Sequence, residues 1–257
     1  MRVVAFMNEF SLTSTLTDTT YDIKVYIPKQ QVPADGFPIY YVLDGLSYFN
    51  FVQDGIRLQQ LNVAKTNVSS AIVVGICHKE EEMRPKRFID FTAPAKNLIV
   101  SDHAKGKLPD GYGGAEKFYQ FINQELMPII ETQYPVNRKH QTLFGHSLGG
   151  YFTLWCLFTH PKKFLNYIAI SPSIWWNGQE LLNIAEHFIA NGANERKNRI
   201  FIAVGEREGF MVNDATSMAS LLADYGLITE SYVAPDENHA SVVPTVLSRA
   251  LRFSSKW

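Results

Sequence analysis

No apolar run in the 257-residue chain approaches the ~18 residues that a helix needs to cross a membrane, so no membrane insertion is expected. Cysteine is scarce. The two present, Cys77 and Cys156, lie inside the apolar runs AIVVGIC and YFTLWCLF, where a free thiol behaves as a small core hydrophobe and no disulfide is expected. Charge of one sign is not in excess. Twenty-four Lys and Arg against 25 Asp and Glu leave a net charge of -1, which excludes a global field that recruits nucleic acid or an anionic membrane. The chain also lacks an H-E-x-x-H motif, paired cysteine ligands and a dinucleotide-binding glycine fingerprint, so neither a metal nor a cofactor is expected. Its start, MRVVAFMNEF, has one Arg and a short apolar patch broken by Asn8 and Glu9, with no small-residue cleavage site after it; this reads as a cytoplasmic protein.

What is present is ordinary globular composition, 46% hydrophobic and 19% charged, in a chain long enough for one large domain over 1–257. Short apolar stretches bounded by Gly, Pro, Asp or Ser recur at 39–43, 71–76, 141–144, 167–170, 200–204 and 228–233. Each reads as a strand buried on both faces. Between them, Phe118, Phe121, Ile122, Leu126, Ile129 and Ile130 fall at helical spacing, with Pro128 expected to bend that helix. Further helical patterns run through 181–189, 218–225 and 242–250, leaving a loop at 234–241. Alternation of this kind predicts an α/β fold, a mostly parallel central sheet with helices on both faces. The β-rich stretches 13–17 and 21–27, around the turn-like Asp18, predict an antiparallel pair at its N-terminal edge. The segment 92–114 has little periodicity and is the candidate lid or substrate loop.

Gly145-His146-Ser147-Leu148-Gly149 follows the apolar strand QTLF and precedes an apolar helix. A G-x-S-x-G in strand-turn-helix context is a nucleophile elbow: it holds a serine in a strained turn where only glycine fits beside it. The bare pattern is expected by chance roughly 0.06 times in a chain with this many serines and glycines, so Ser147 is the candidate nucleophile. A serine needs a base to take its proton and an acid to orient that base, in the chain order Ser, acid, His. His187 lies within a helical pattern, whereas His239 lies in the loop after the last strand, and His239 is the candidate base. The loop after the strand IFIAV reads Gly205-Glu206-Arg207-Glu208-Gly209. Both glutamates are candidate acids; related hydrolases commonly place the acid three residues after such a glycine, which favours Glu208. Asp214, Asp236 and Glu237 are remoter choices. Acyl transfer also needs two backbone donors for the oxyanion, and the amides of Leu148 and Leu46 are the candidates.

With these residues placed, the chain resembles the putative-esterase family of α/β-hydrolases, which includes the bacterial siderophore trilactone esterases. The likeness is carried by YVLDGLSYF (41–49), RFIDFTAP (87–94), GGAEKFYQFINQELMPIIE (113–131), FGHSLGGYF (144–152), SPSIWWN (171–177), GEREGF (205–210) and NHASVVP (238–244). The resemblance implies a cofactor-free serine esterase that opens a catecholate trilactone of the enterobactin or bacillibactin type, releasing iron. A ferric catecholate is a multiply charged anion, and Lys79, Arg84, Lys86 and Arg87 lie just beyond the strand AIVVGI. The family pattern favours Arg87 as a substrate contact, with Asp90 as a possible salt-bridge anchor. Trp175 and Trp176 offer flat walls for aromatic rings, or core packing. Rival readings are a general short-acyl carboxylesterase, including an S-formylglutathione hydrolase-like thioesterase, and a non-catalytic ligand-binding homologue.

Overall fold

A computed structural model describes residues 7–100, 110–192 and 197–256. Among them, eight strands form one sheet: β1 (Met7–Ser14), β2 (Thr19–Tyr26), β3 (Phe37–Val42), β4 (Ile72–Cys77), β5 (Val136–His146), β6 (Asn166–Ile170), β7 (Arg199–Gly205) and β8 (Ile228–Ala234). Their spatial order is β1-β2-β4-β3-β5-β6-β7-β8. Pairings from β4 through β3 to β8 are all parallel, while β1–β2 and β2–β4 are antiparallel. This is the expected α/β arrangement with an antiparallel N-terminal edge.

Strand pleating divides the apolar side chains between two faces. Ile39, Tyr41, Leu43, Ile72 and Val74 enter one core cluster with Phe91, Phe118, Phe152, Leu181 and Met218. Tyr40, Val42, Val73, Phe144 and Phe201 enter the other with Phe49, Val52, Val246 and Leu251. The first face is therefore covered by α3 (Met83–Phe91), α4 (Ala115–Gln120), α6 (Leu148–Thr159), α7 (Trp176–Ala190) and α8 (Phe210–Asp224), and the second by α1 (Gly45–Gln59) and α9 (Val242–Ser254), while the short α2 (Val63–Thr66) lies between α1 and β4 in the chain. Both cysteines are free and buried.

Three details depart from the sequence reading. The first strand spans 7–14 rather than 13–17, because the Ser14 hydroxyl accepts hydrogen bonds from the amides of Leu16 and Thr17 at 3.1 Å each and turns the chain there. Asp18, at φ 51°, completes that turn. The stretch 228–233 is a strand, but β8 is the sheet edge and is not buried on both faces; Ile228 is 45% exposed. Finally, where a bend is expected at Pro128, the helix widens into a π turn over Phe121–Leu126, after which α5 (Met127–Gln133) carries the proline in its first turn.

The ends of the 92–114 segment are stitched together. Thr92 Oγ1 accepts from the Gly113 amide at 2.9 Å, and the Ala115 amide donates to the Thr92 carbonyl at 3.0 Å. Its centre, 101–109, lies outside the described residues.

Candidate active site

The elbow is built at the end of β5. Ser147 has φ 59° and ψ -120°, a conformation rarely adopted by a residue with a side chain. A Cβ at Gly145 would stand 2.1 Å from the Gly149 carbonyl oxygen, so a strand and a helix meet here at a distance only glycine permits. The Ser147 amide donates to the Ile170 carbonyl at 3.0 Å, and the Ser173 amide donates to the Ser147 carbonyl at 3.1 Å, which binds the elbow to the end of β6. Ser147 Oγ lies 3.4 Å from Ser173 Oγ.

The two amides expected to serve an oxyanion occupy equivalent places. Leu148 is the first residue of α6 and Leu46 the second of α1, so neither amide has an acceptor within its own helix. The helices rise from the ends of neighbouring strands, β5 and β3. Gly45 is required at the start of α1, since a Cβ there would meet Cys77 Sγ at 2.6 Å and the Gly75 backbone at 3.0 Å.

His239 lies between β8 and α9, and its Nδ1 is 2.5 Å from Glu208 Oε2. The Glu208 side chain is buried and also accepts from Ser171 Oγ at 2.6 Å and the Gly205 amide at 2.7 Å. Burial alone would raise this carboxyl, but the hydrogen bonds from His239, Ser171 and Gly205 and the charge of His239 outweigh it and hold Glu208 below the usual glutamate range. The alternative acids are engaged elsewhere. Glu206 accepts from the Asp236 amide at 3.0 Å, Asp236 pairs with Arg207 at 2.6 Å, and Glu237 accepts from Thr245 at 2.7 Å. Asp214 accepts from Gln179 at 2.8 Å, and His187 is exposed on α7.

Arg87 is anchored, but not by Asp90. Its Nε donates to Asp44 Oδ1 at 2.6 Å and an Nη to Oδ2 at 3.0 Å, while Asp90 accepts from Tyr21 at 2.6 Å and lies 2.9 Å from His78 Nε2. Three residues apart on α3, Arg87 and Asp90 share a helix face, but Arg87 reaches Asp44 at the β3–α1 turn while Asp90 is taken up by Tyr21 of β2 and by His78, which follows β4. Asp44 also touches the elbow, 3.3 Å from where a Cβ at Gly149 would lie. Of the other cations, Lys86 donates to Thr19 at 2.9 Å, and Lys79 and Arg84 are exposed. The two tryptophans divide. Trp176 is in the core against Phe88, while Trp175 is half-buried and meets Trp176 edge-on at 6.2 Å.

Two contributors lay beyond the sequence reading. Ser171 carries no motif that marks it as a hydrogen-bond donor to the acid. His146 fills the unrestricted second position of the elbow, yet it is buried, with Nδ1 2.8 Å from the Tyr48 hydroxyl and its ring centroid 4.5 Å from that of His239. Burial, reinforced by the neighbouring His239, pushes the His146 imidazole down to about 3.

Among the described residues no group of three or more His, Cys, Asp or Glu side chains is placed to hold a metal ion, and no helix is long and apolar enough to cross a membrane.

The chain is similar to known esterases over nearly its whole length. The family described as Putative esterase matches residues 14–231. Ferri-bacillibactin esterase BesA of Bacillus subtilis is 36% identical over 252 residues, which cover 95% of this chain and 87% of that protein. A siderophore enterobactin esterase of Emericella nidulans is 29% identical, covering 84% of this chain and 81% of the relative. The crystal structure of BES protein from Bacillus cereus superimposes with a TM-score of 0.89 at 37% identity, over 100% of this chain and 98% of that one.

Proposed function

The chain belongs to the putative esterase family, and on that premise we propose that it is a single-domain serine esterase that opens a catecholate trilactone siderophore of the enterobactin or bacillibactin type. The observation that carries the mechanism is the His239–Glu208 pair at 2.5 Å, packed through His146 against the strained Ser147 elbow. With Nδ1 turned to Glu208, Nε2 of His239 is the nitrogen left to accept the Ser147 proton. Ser147 Oγ attacks the ester carbonyl, the Leu46 and Leu148 amides receive the developing oxyanion, and His239 returns its proton to the departing alkoxide. Water then attacks the acyl-enzyme with His239 as base.

The substrate class rests on the likeness to ferri-bacillibactin esterase over nearly the whole chain. Arg87, held by Asp44 beside the elbow and 21% exposed, offers a guanidinium donor rather than a net charge to a catecholate oxygen, and Trp175, backed by Trp176, gives a flat wall for a catechol ring. Free, buried Cys77 and Cys156 suit a reducing compartment, and the reaction is assigned to the cytoplasm.

The test is incubation of the protein and its Ser147→Ala variant with apo and ferric enterobactin and bacillibactin, beside an aryl acetate, with products followed by mass spectrometry. Ser147-dependent opening of a trilactone is the expected result. Turnover of the acetate alone reassigns the protein as a general short-acyl esterase, and failure of a fluorophosphonate to label Ser147 in folded protein makes it a non-catalytic binder.

A further inference from the structure

We propose that His146 and Tyr48 are positioning residues that orient the imidazole of His239; the inference rests on His239 being the base of the esterase. His239 is carried by the loop after β8, and its side chain is 45% exposed. One hydrogen bond, to Glu208, fixes its Nδ1 but leaves the ring free to swing about that contact. A second contact, ring against ring, removes this freedom, and His146 supplies it. The two ring centroids are 4.5 Å apart with the planes inclined at 43°.

His146 is suited to brace a mobile neighbour because it is itself held. It is the last residue of β5, only 5% exposed, and Tyr48 bonds its Nδ1 at 2.8 Å while packing on its ring and on Phe144 at centroid distances of 5.4 and 6.0 Å. Tyr48 lies two residues after Leu46 on α1. The helix whose first turn offers an oxyanion donor therefore also sets, through His146, the plane of the base. Burial keeps His146 uncharged at working pH, so the imidazolium formed on His239 during attack meets no second cation from this side. The other charged groups of this cluster are Glu208 from the loop after β7, Asp44 at the start of α1 and Arg87 of α3, the last two neutralising each other.

The experiment compares wild type, Tyr48→Phe, His146→Ala and His239→Ala on a small aryl acetate, together with the low-field proton NMR signal of the His239–Glu208 hydrogen bond. Tyr48→Phe removes one oxygen and carries the test if His146→Ala does not fold, as judged by circular dichroism. Misorienting a base by a fraction of an ångström to an ångström costs about 10- to 100-fold in rate. Such a fall in kcat, with KM little changed and the low-field signal shifted or broadened, is expected for Tyr48→Phe and for folded His146→Ala. Unchanged kcat, or a fall in kcat with the signal unmoved, overturns the proposal. A fully active His239→Ala instead removes the triad reading beneath it.

Discussion

Nδ1 of His239 lies 2.5 Å from Oε2 of Glu208, joining a half-exposed imidazole to a carboxylate that is 2% exposed. The carboxyl is held below its ordinary range although burial works the other way, because three donors converge on it. A depressed carboxyl contributes stability that is present above the unfolded-state value, about 4.3 for glutamate, and lost as pH falls through the folded one. Urea unfolding of wild type and Glu208→Gln across about pH 6 to 3 is therefore expected to show the steeper acid loss in wild type. Parallel curves would mean that the three hydrogen bonds do not favour the ionised form.

The same substitution tests orientation of the base. An amide at 208 can still accept from Nδ1–H but can also present its NH2 group, favouring the wrong tautomer of His239. Glu208→Gln is expected to lower kcat on an aryl ester by roughly 10²- to 10⁴-fold, with KM little affected. Retention of full activity assigns catalysis to a Ser147–His239 dyad.

Much of this arrangement was legible in the sequence, and what was not shares a physical cause. The central strands and the elbow are local: apolar runs and a glycine-bounded serine report on themselves. The spacing of β8 reads like that of β6 and β7, but ITESYVA carries Thr229, Glu230 and Ser231, and among the described residues it pairs with β7 alone, so it lies half-exposed at the sheet edge. Arg87 was singled out, while its partner was misassigned within RFIDF, since the nearest acid along the chain is not the nearest in space. Ser171, His146 and Tyr48 went unread for the same reason. Their roles arise only when β5, β6 and α1 converge at one end of the sheet.

The elbow glycine sets a sterically sharp case. At Gly145 an added methyl group would meet Gly149 O at 2.1 Å and Gly149 C at 2.3 Å, both backbone atoms fixed by the start of α6. No side-chain rotation relieves such a contact. Gly145→Ala is expected to cost about 3 kcal/mol or more in chemical denaturation and to abolish fluorophosphonate labelling of Ser147. A stable variant that labels at the wild-type rate would show that strand and helix can separate there.

Asp44 and Arg87 form a bidentate pair in which the carboxylate is 4% exposed and the guanidinium side chain 21%. Removing Arg87 leaves a buried charge without its counter-ion, a change that costs about 3–5 kcal/mol, whereas removing both charges leaves none. Asp44 has φ 50°, a conformation asparagine tolerates, so Asp44→Asn removes the charge without straining the turn. Arg87→Leu should then destabilise more than Asp44→Asn/Arg87→Leu, and a double-mutant cycle measured by urea unfolding should return a coupling of about 1–3 kcal/mol. Because Asp44 precedes the Gly45-Leu46 turn and lies against Gly149, the loss should reach the active site as well as the fold. Arg87→Leu should label more slowly with fluorophosphonate at temperatures where it is still folded, and Asp44→Asn/Arg87→Leu should recover part of that rate. Additive effects on stability, with labelling unchanged, would reduce the pair to a solvent-screened contact with no part in shaping the turn.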